Sequence, residues 1–461
     1  MSTEASAVNG TAPPARSTRD LSRAAMSGWL GTAMEFMDFQ LYSLAAGLVF
    51  NTIFFPDVSP AIGLIAAMAT YGVGYFARIA GAFYFGRMGD TIGRKKVLFI
   101  TIAMMGGSTT LIGALPTYQA IGILAPILLV LLRLVQGFGA GAEIAGATVM
   151  LVEYAPKRRR GLISSLVALG TNTGTLVATG IWAVLLAVLS DEQLQSWGWR
   201  IPFLASFVLL VFALWVRRNV KESPAFEGRD DVVDGVALDR AELKKAETAH
   251  GQSKLEAGLK QRKGRAFVLA LLLRLGQAGN SGLIQTFLVG YISSTLAMDK
   301  AVATDALLIG AATGFVTVPV IGMLSDRFGR RPVYMLMSGL SVPLAFPALL
   351  MITSGSNSTL MLGMILGYNV SVLGLFAVEN VTMSEMFGGR NRFTQVGVAK
   401  ELGGILGVGI GPTIAAALTA ATGSWWPVAV MLIVYSLITF VTAYLAPEVR
   451  DRDLSALEDA A

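Results

Sequence analysis

Two carboxylates stand inside an apolar run near the N-terminus. The segment GWLGTAMEFMDFQLYSLAAGLVF, beginning at Gly28, places Glu35, Asp38 and Tyr42 on one helical face. A second apolar segment, LLRLVQGFGAGAEIAGATVMLVEYAP from Leu131, places Arg133, Gln136 and Glu143 on another. Ionised groups in such surroundings cost several kcal/mol unless they are paired or wetted. An acid of the first run beside Arg133 would satisfy both groups. Protonating that acid would release the arginine, which is a way to couple a proton to a change of shape. The static alternative is a buried ion pair that only holds the helices together. The chain has one histidine, His250 in a polar stretch, and no cysteine. Proton chemistry inside the apolar runs therefore falls to carboxylates, and disulfides, thiol catalysis and Cys/His metal sites are excluded.

Other charges lie at similar depth in later runs: Arg78, Arg274, Glu379, Lys400 and Glu401. Arg274 is the group expected to meet a substrate carboxylate, since a guanidinium stays charged and binds bidentately. A salt bridge within or between helices is the competing use. Gln277, Asn280 and Gln285 follow Arg274 in the same run and could bind substrate hydroxyls. Tyr42 and Gln136 join the expected substrate contacts, and Arg78 is a second candidate anion anchor. Lys400 and Glu401 are expected to be structural.

These groups need helices to carry them. The chain has 461 residues, 54% hydrophobic and 14% charged, far below the charged share of a soluble surface. Its net charge of +6 does not form one basic patch, so nucleic acid is not an expected partner. A helix needs roughly 20 apolar residues to cross a bilayer. Six such runs, helices 1 to 6, fall near 26–50, 61–86, 97–115, 121–150, 162–189 and 201–216. Helices 7 to 12 fall near 267–296, 304–324, 333–353, 359–386, 393–421 and 425–446. The expectation is an all-α membrane protein of two six-helix bundles, 23–216 and 266–446. Residues 217–265 form a charged linker, partly helical near 241–258, while 1–22 and 447–461 are polar tails. Basic residues cluster after helices 2, 4, 8 and 10, whereas the opposite loops carry only Arg200 and Lys300. The positive-inside bias places both termini in the cytoplasm and the chain in the plasma membrane, many times crossed.

The halves repeat. GRMGDTIGRKK follows helix 2 and GMLSDRFGRRP follows helix 8. EYAPKRRRG follows helix 4 and EMFGGRNRF follows helix 10. The first pair contains Asp90 and Arg94, then Asp326 and Arg330; the second contains Glu153 and Arg160, then Glu385 and Arg392. The glycines permit tight turns, the aspartates can cap helix starts, and the arginines can pair with the glutamates. Together they would latch one gate. Topology-setting charge alone is the plainer reading of the same residues.

This doubled G-x-x-x-D-x-x-G-R-[RK] loop resembles the signature of the major facilitator superfamily, and the resemblance covers nearly the whole chain. Helix 1, with its E-x-x-D-F-x-x-Y pattern at Glu35, Asp38, Phe39 and Tyr42, is similar to the metabolite:proton symporter branch. Helix 4, with Arg133, Gln136, Gly137 and Glu143, and the segments SWGWRIPF and KESPAF fit the same branch, and within it SPAIGLIAAMATYGVGYFAR and DEQLQSWGWRIPFL resemble the shikimate transporters most. Two departures stand at cavity positions. Phe36 and Met37 occupy places where the branch has tryptophan, and helix 4 reads Gly141, Ala142, Glu143, Ile144, Ala145, Gly146 rather than GGEWGG.

The resemblance implies alternating access and proton-coupled uptake of a small organic acid, shikimate-like or a dicarboxylate. Asp38, Glu35, Arg133 and Glu143 would carry the coupling. A betaine-like zwitterion symporter or an exporter is the alternative within transport, and a solute-binding membrane sensor is the alternative outside it. No enzyme is expected, since no nucleophile–base set or metal cluster is visible. The proton gradient replaces any cofactor, and a monomer in the bilayer is expected. Gly137, Gly139 and Gly141 lie in an apolar helix with no strand before them, so they pack helices rather than bind a dinucleotide.

Overall fold

The computed structural model describes residues 18–92, 94–141, 151–152, 155–219, 232–233, 236–237, 254–388, 392–452, 454 and 459–460. Within them the chain is a helical bundle. Helix α1 covers Thr18–Ala45 and runs on through a π-helical turn, Ala46–Phe50. Then come α2 (Pro60–Ile92), α3 (Arg94–Ala114), α4 (Leu124–Ala140), α5 (Arg160–Val188) and α6 (Arg200–Asn219). The second half begins with α7 (Lys254–Ser281), which continues through a π turn, Gly282–Phe287, to Leu288–Ser294. After α8 (Lys300–Phe328) and α9 (Arg330–Ile352), α10 runs as Asn357–Gly367, a π turn Tyr368–Leu373, and Gly374–Met386. Likewise α11 runs as Arg392–Gly404, a π turn Ile405–Gly409, and Gly411–Thr422, before α12 (Trp426–Leu445).

Eight of these are long and apolar enough to cross a membrane, and the bent pair Asp191–Gly198 with Arg200–Phe212 makes a ninth. The apolar stretches of α3 and α4 are shorter, and α1 carries the acids. These are the twelve expected runs. The outer faces carry side chains such as Val208, 70% exposed, and Trp215, 62% exposed, as surfaces against lipid do. One boundary differs. Helix α7 begins at Lys254, inside the expected linker, while its stretch apolar enough to cross a membrane begins at Gly264. The expected helix near 241–258 falls mostly outside the described residues. Two short strands, Val232–Val233 and Val236–Ala237, pair antiparallel there.

Close packing brings the charged faces together. A Cβ on Gly74 of α2 would lie 2.8 Å from the Arg133 guanidinium, and one on Gly137 of α4 would strike the Gly74 backbone. Only glycine lets α2 and α4 approach this closely. At the end of the bundle away from the termini, Phe50 and Phe54 pack on Trp199 with centroids 5.7 and 5.8 Å away. Each such pair contributes about 0.5–1.5 kcal/mol beyond its area. The SWGWRIPF segment thus clamps the far end of α1.

The halves touch at both ends. At the far end, Ser43 and Thr286 share a 2.6 Å hydrogen bond, and a Cβ on Gly47 would lie 3.1 Å from the Gly290 nitrogen. At the end holding the doubled basic loops, here termed the basic end, α5 meets α8. There a Cβ on Gly161 would lie 2.6 Å from the Gly322 carbonyl oxygen, and nearer the middle of the two helices Asn172 donates to the Ala311 carbonyl at 2.7 Å.

Candidate functional site

Inside the bundle the acids and bases form one layer. Arg78 of α2 is its hub. Its Nη2 lies 2.8 Å from Glu35 Oε1 in α1, while Nε and Nη2 donate to Glu401 of α11 at 2.6 and 2.9 Å. All three residues are buried. The Phe39 ring lies 4.9 Å from the guanidinium carbon. A substrate carboxylate would have to displace one of these acids to use Arg78.

Arg133 has a different setting from the one expected. The helix 1 acid Glu35 pairs with Arg78, and Arg133 is held by neutral groups. It donates to Gln136 Oε1 and, at 2.9 Å, to the Tyr71 carbonyl. The Tyr42 ring lies 3.9 Å from its Cζ, a cation–π contact. Gln136 Nε2 donates to Thr109 Oγ1 at 2.6 Å, and Thr109 donates to Asp38 Oδ2 at 3.0 Å. Asp38 and Arg133 therefore communicate through Thr109 and Gln136. The physical reason is helix rotation. Gly74 opens space that steers Arg133 toward Tyr42 and Tyr71, and Arg78 fills the place beside Glu35.

The second half contributes a matching cluster. Arg274 of α7 donates to Gln277 Oε1 at 2.6 Å and lies 3.3 Å from Glu379 Oε1 of α10. Lys400 of α11 donates to Asn380 Oδ1. Phe376 of α10 contacts both cations and approaches Phe36 of α1 at 6.4 Å. A Cβ on Gly404 would lie 3.6 Å from the Tyr75 ring and 4.0 Å from Arg274 Nη2, so this cluster borders the first half. Asn280 is placed elsewhere: its Nδ2 donates at 3.0 Å to Ser436 of α12, away from Arg274.

The basic end is closed by a shared set of charges. Asp326 accepts from the backbone nitrogens of Gly161 and Leu162 at 2.7 and 2.9 Å, capping α5 of the other half. Arg330 reaches both oxygens of Glu385, at 2.9 and 3.3 Å, and also Asp326 at 2.8 Å. Arg160 lies 3.6 Å from Glu385, which joins the halves again. Arg392 donates to the carbonyls of Phe387 and Leu454. Glu143 and Glu153 lie outside the described residues, as do the side chains of Asp90 and Arg94. The C-terminal segment is part of this end. Glu448 accepts from the nitrogens of Arg330 and Arg331, and the Arg452 carbonyl accepts from Arg160 at 2.7 Å.

The family model of the Major Facilitator Superfamily matches residues 28–398 and 269–460. The chain belongs to the major facilitator superfamily. This major facilitator chain is 56% identical over 427 residues to the Escherichia coli (strain K12) protein YdfJ, covering 92% of this chain and 96% of that one. It is 38% identical over 424 residues to the shikimate transporter of the same organism, covering 92% and 94%. It is 32% identical over 455 residues to the proline/betaine transporter of Salmonella typhimurium (strain LT2), covering 96% and 86%. Among solved structures, a D-xylose-proton symporter superposes with TM-score 0.71 at 18% identity, over 93% of this chain and 99% of that one. That likeness concerns the fold. The chain is thus a membrane transporter and not an enzyme.

In this major facilitator chain, Arg274 and Gln277 stand together, as do Arg133, Gln136 and Tyr42, while Asn280 stands apart. Glu379, Asn380 and Phe376 complete the cluster around Arg274, and Glu401 completes that around Arg78. Glu401 was legible as a charge in an apolar run. Its partner lies 323 positions away, and nothing along the chain points there. Thr109 and Asn380 carry no such signal, because small polar residues are common in packed apolar helices.

Proposed function

We propose that this transporter takes up a small organic acid together with protons, shikimate-like first and a dicarboxylate second, by alternating access. The observation that carries the reading is the hydrogen-bonded path from Asp38 through Thr109 and Gln136 to Arg133. A proton on Asp38 would remove the need for the Thr109 donor. Thr109 would then donate to the Met105 carbonyl, which it already contacts at 3.0 Å, and the protonated Asp38 would donate to Thr109 Oγ1 in competition with Gln136, which would turn. Arg133 would lose its amide partner and shift against the Tyr42 and Tyr71 rings. Protonation thereby reaches the packing of α2 against α4. Glu35 is the second proton candidate, because neutralising it leaves Arg78 to Glu401 alone. Glu143 keeps its expected place in the coupling set.

Arg274 and Gln277 would face the substrate, with Arg78 a weaker anchor. The basic end would lie in the cytoplasm with both termini, as the positive-inside rule requires. The bundle would act as a monomer in the plasma membrane, driven by the proton gradient alone. The likeness to the shikimate transporter, 38% against 32% for the proline/betaine transporter, and the cations gathered in the layer favour an acid over the zwitterion alternative.

The test is proton flux in weakly buffered proteoliposomes, with external pH recorded as shikimate, succinate or glycine betaine is added singly. External alkalinisation that needs the protein and vanishes with Asp38→Asn supports the reading. A signal with glycine betaine alone moves the zwitterion symporter ahead. Binding without any proton signal moves a sensor, a uniporter or an exporter ahead.

A further inference from the structure

Arg274 and Lys400 approach one ring from two helices. The Arg274 Cζ and the Lys400 Nζ each lie 5.7 Å from the centroid of Phe376. Glu379, on the same helix as Phe376, supplies a carboxylate and gives Oε1 to Arg274 at 3.3 Å. The other acids facing Lys400 are Glu35 and Glu401, and both are joined to Arg78. The Lys400 ammonium itself rests on Asn380 Oδ1, a neutral acceptor. Among the described residues, Lys400 is thus a buried cation with no carboxylate in contact.

Its surroundings are unfinished in one particular way. Arg274 Nε, Asn380 Nδ2, Tyr334 Oη and Glu379 Oε2 are buried and lack hydrogen-bond partners among the described residues. Tyr334 of α9 is close enough to feel the charges of Glu379 and Arg274. Three of these four atoms are donors or can donate, and the ammonium has two further hydrogens. Buried polar groups are ordinarily paired, and a cluster of orphans around an unpaired cation matches a missing acceptor. A substrate anion would supply that acceptor.

We propose that Lys400 and Asn380 form the carboxylate seat of the transport site, with the Phe376 ring packing against the body of the substrate. This rests on the organic-acid reading above and names its class: a monocarboxylate. Of the three cations in the layer, Lys400 alone has no carboxylate in contact among the described residues. Arg78, Arg274 and Lys400 are balanced by Glu35, Glu379 and Glu401, so a loaded monocarboxylate leaves this set one negative charge over neutral. A single proton on one of the two acids sharing Arg78 restores the balance. A second carboxylate would stand in the same dry layer with no cation of its own. Arg274, engaged by Glu379 and Gln277, faces the substrate beside this seat.

The experiment is equilibrium binding to the purified full chain in detergent, comparing shikimate with its uncharged methyl ester and with succinate. The wild type should hold shikimate about tenfold or more tighter than the ester or succinate. Lys400→Met should bind acid and ester alike, and Lys400→Arg should keep the preference. The ester serves as an internal control, since its binding reports a folded site. If Lys400→Met does not fold, Asn380→Leu reads the same seat and should narrow the preference for acid. A Lys400→Met protein that still prefers acid to ester as the wild type does overturns the seat while leaving organic-acid transport intact. Equal binding of succinate overturns the monocarboxylate assignment. A wild type that binds none of shikimate, benzoate, lactate and succinate overturns the organic-acid reading and the seat with it.

Discussion

Arg78 holds one acid from each half of the molecule: Glu35 Oε1 lies 2.8 Å from its Nη2, and Glu401 Oε2 lies 2.6 Å from its Nε. A single guanidinium therefore ties α1 and α2 to α11 in the middle of the bundle. Whatever moves the halves apart on that side must break or follow this contact.

Removing Arg78 alone strands two buried carboxylates. Breaking a buried pair costs about 3–5 kcal/mol, so Arg78→Met should lower the melting temperature clearly. Adding Glu35→Gln and Glu401→Gln should recover most of the loss, because neutral amides need no cation. Thermal unfolding in detergent decides it. A triple variant as unstable as Arg78→Met would show that the arginine acts through packing.

Asp326 caps α5 across the interface between the halves. Losing a cap of this kind costs about 0.5–2 kcal/mol. Asp326→Ala should therefore open the basic end more often. The chain has no cysteine, so a single cysteine reports opening without background. Ser165→Cys, buried near Gly322 of α8, should react with a maleimide several-fold faster when combined with Asp326→Ala. An unchanged rate would place the closing force elsewhere.

The Tyr42 ring lies against Arg133, and its hydroxyl donates to Thr70 at 2.8 Å. Tyr42→Phe keeps the cation–π face and should retain most uptake. Tyr42→Leu removes that face and should cost about 0.5–2 kcal/mol of Arg133 stabilisation, with uptake falling accordingly. Equal uptake by the two variants would mean that the ring does not hold Arg133 in place.

Glu448 accepts from the first two backbone nitrogens of α9 at 2.9 and 3.0 Å. Glu448→Ala should cost about 1 kcal/mol of stability, a small fall in melting temperature. The same variant should raise Ser165→Cys labelling, since Arg330 joins Glu385 and Asp326 at that end. Unaltered labelling with a lowered melting temperature would separate the C-terminal segment from closure.

The C-terminal segment shows where reading along the chain stops. Residues 447–461 are polar and short of apolar runs, which reads as a tail. In the structure Val449 is buried, and Arg452 donates to the carbonyls of Glu385 and Met386 at 2.9 Å. These contacts run through backbone atoms, which every residue possesses, so no side-chain pattern announces them. The ion pair Arg330–Glu385 was legible for the opposite reason. Two copies of one motif put the same charges at matching places, and duplication makes a long-range contact visible in a single chain.

Twelve apolar runs, their division into two halves, the basic end and the acids buried in helix 1 all follow from the order of residues. Each depends on local chemistry: hydropathy over one helix length, charge beside it, and a repeat of both. Which base meets which acid does not. Arg78 and Arg133 are both arginines in apolar helices that could face α1, and composition cannot rank them. The choice falls to how far each helix is rotated and how closely it packs. Gly74 and Gly137 draw α2 against α4, leaving Arg133 beneath Tyr42 and Arg78 between Glu35 and Glu401. Three-dimensional packing made that decision, because an ion pair forms only where two rigid helices bring charged ends within about 4 Å of each other in a medium with no water to take their place.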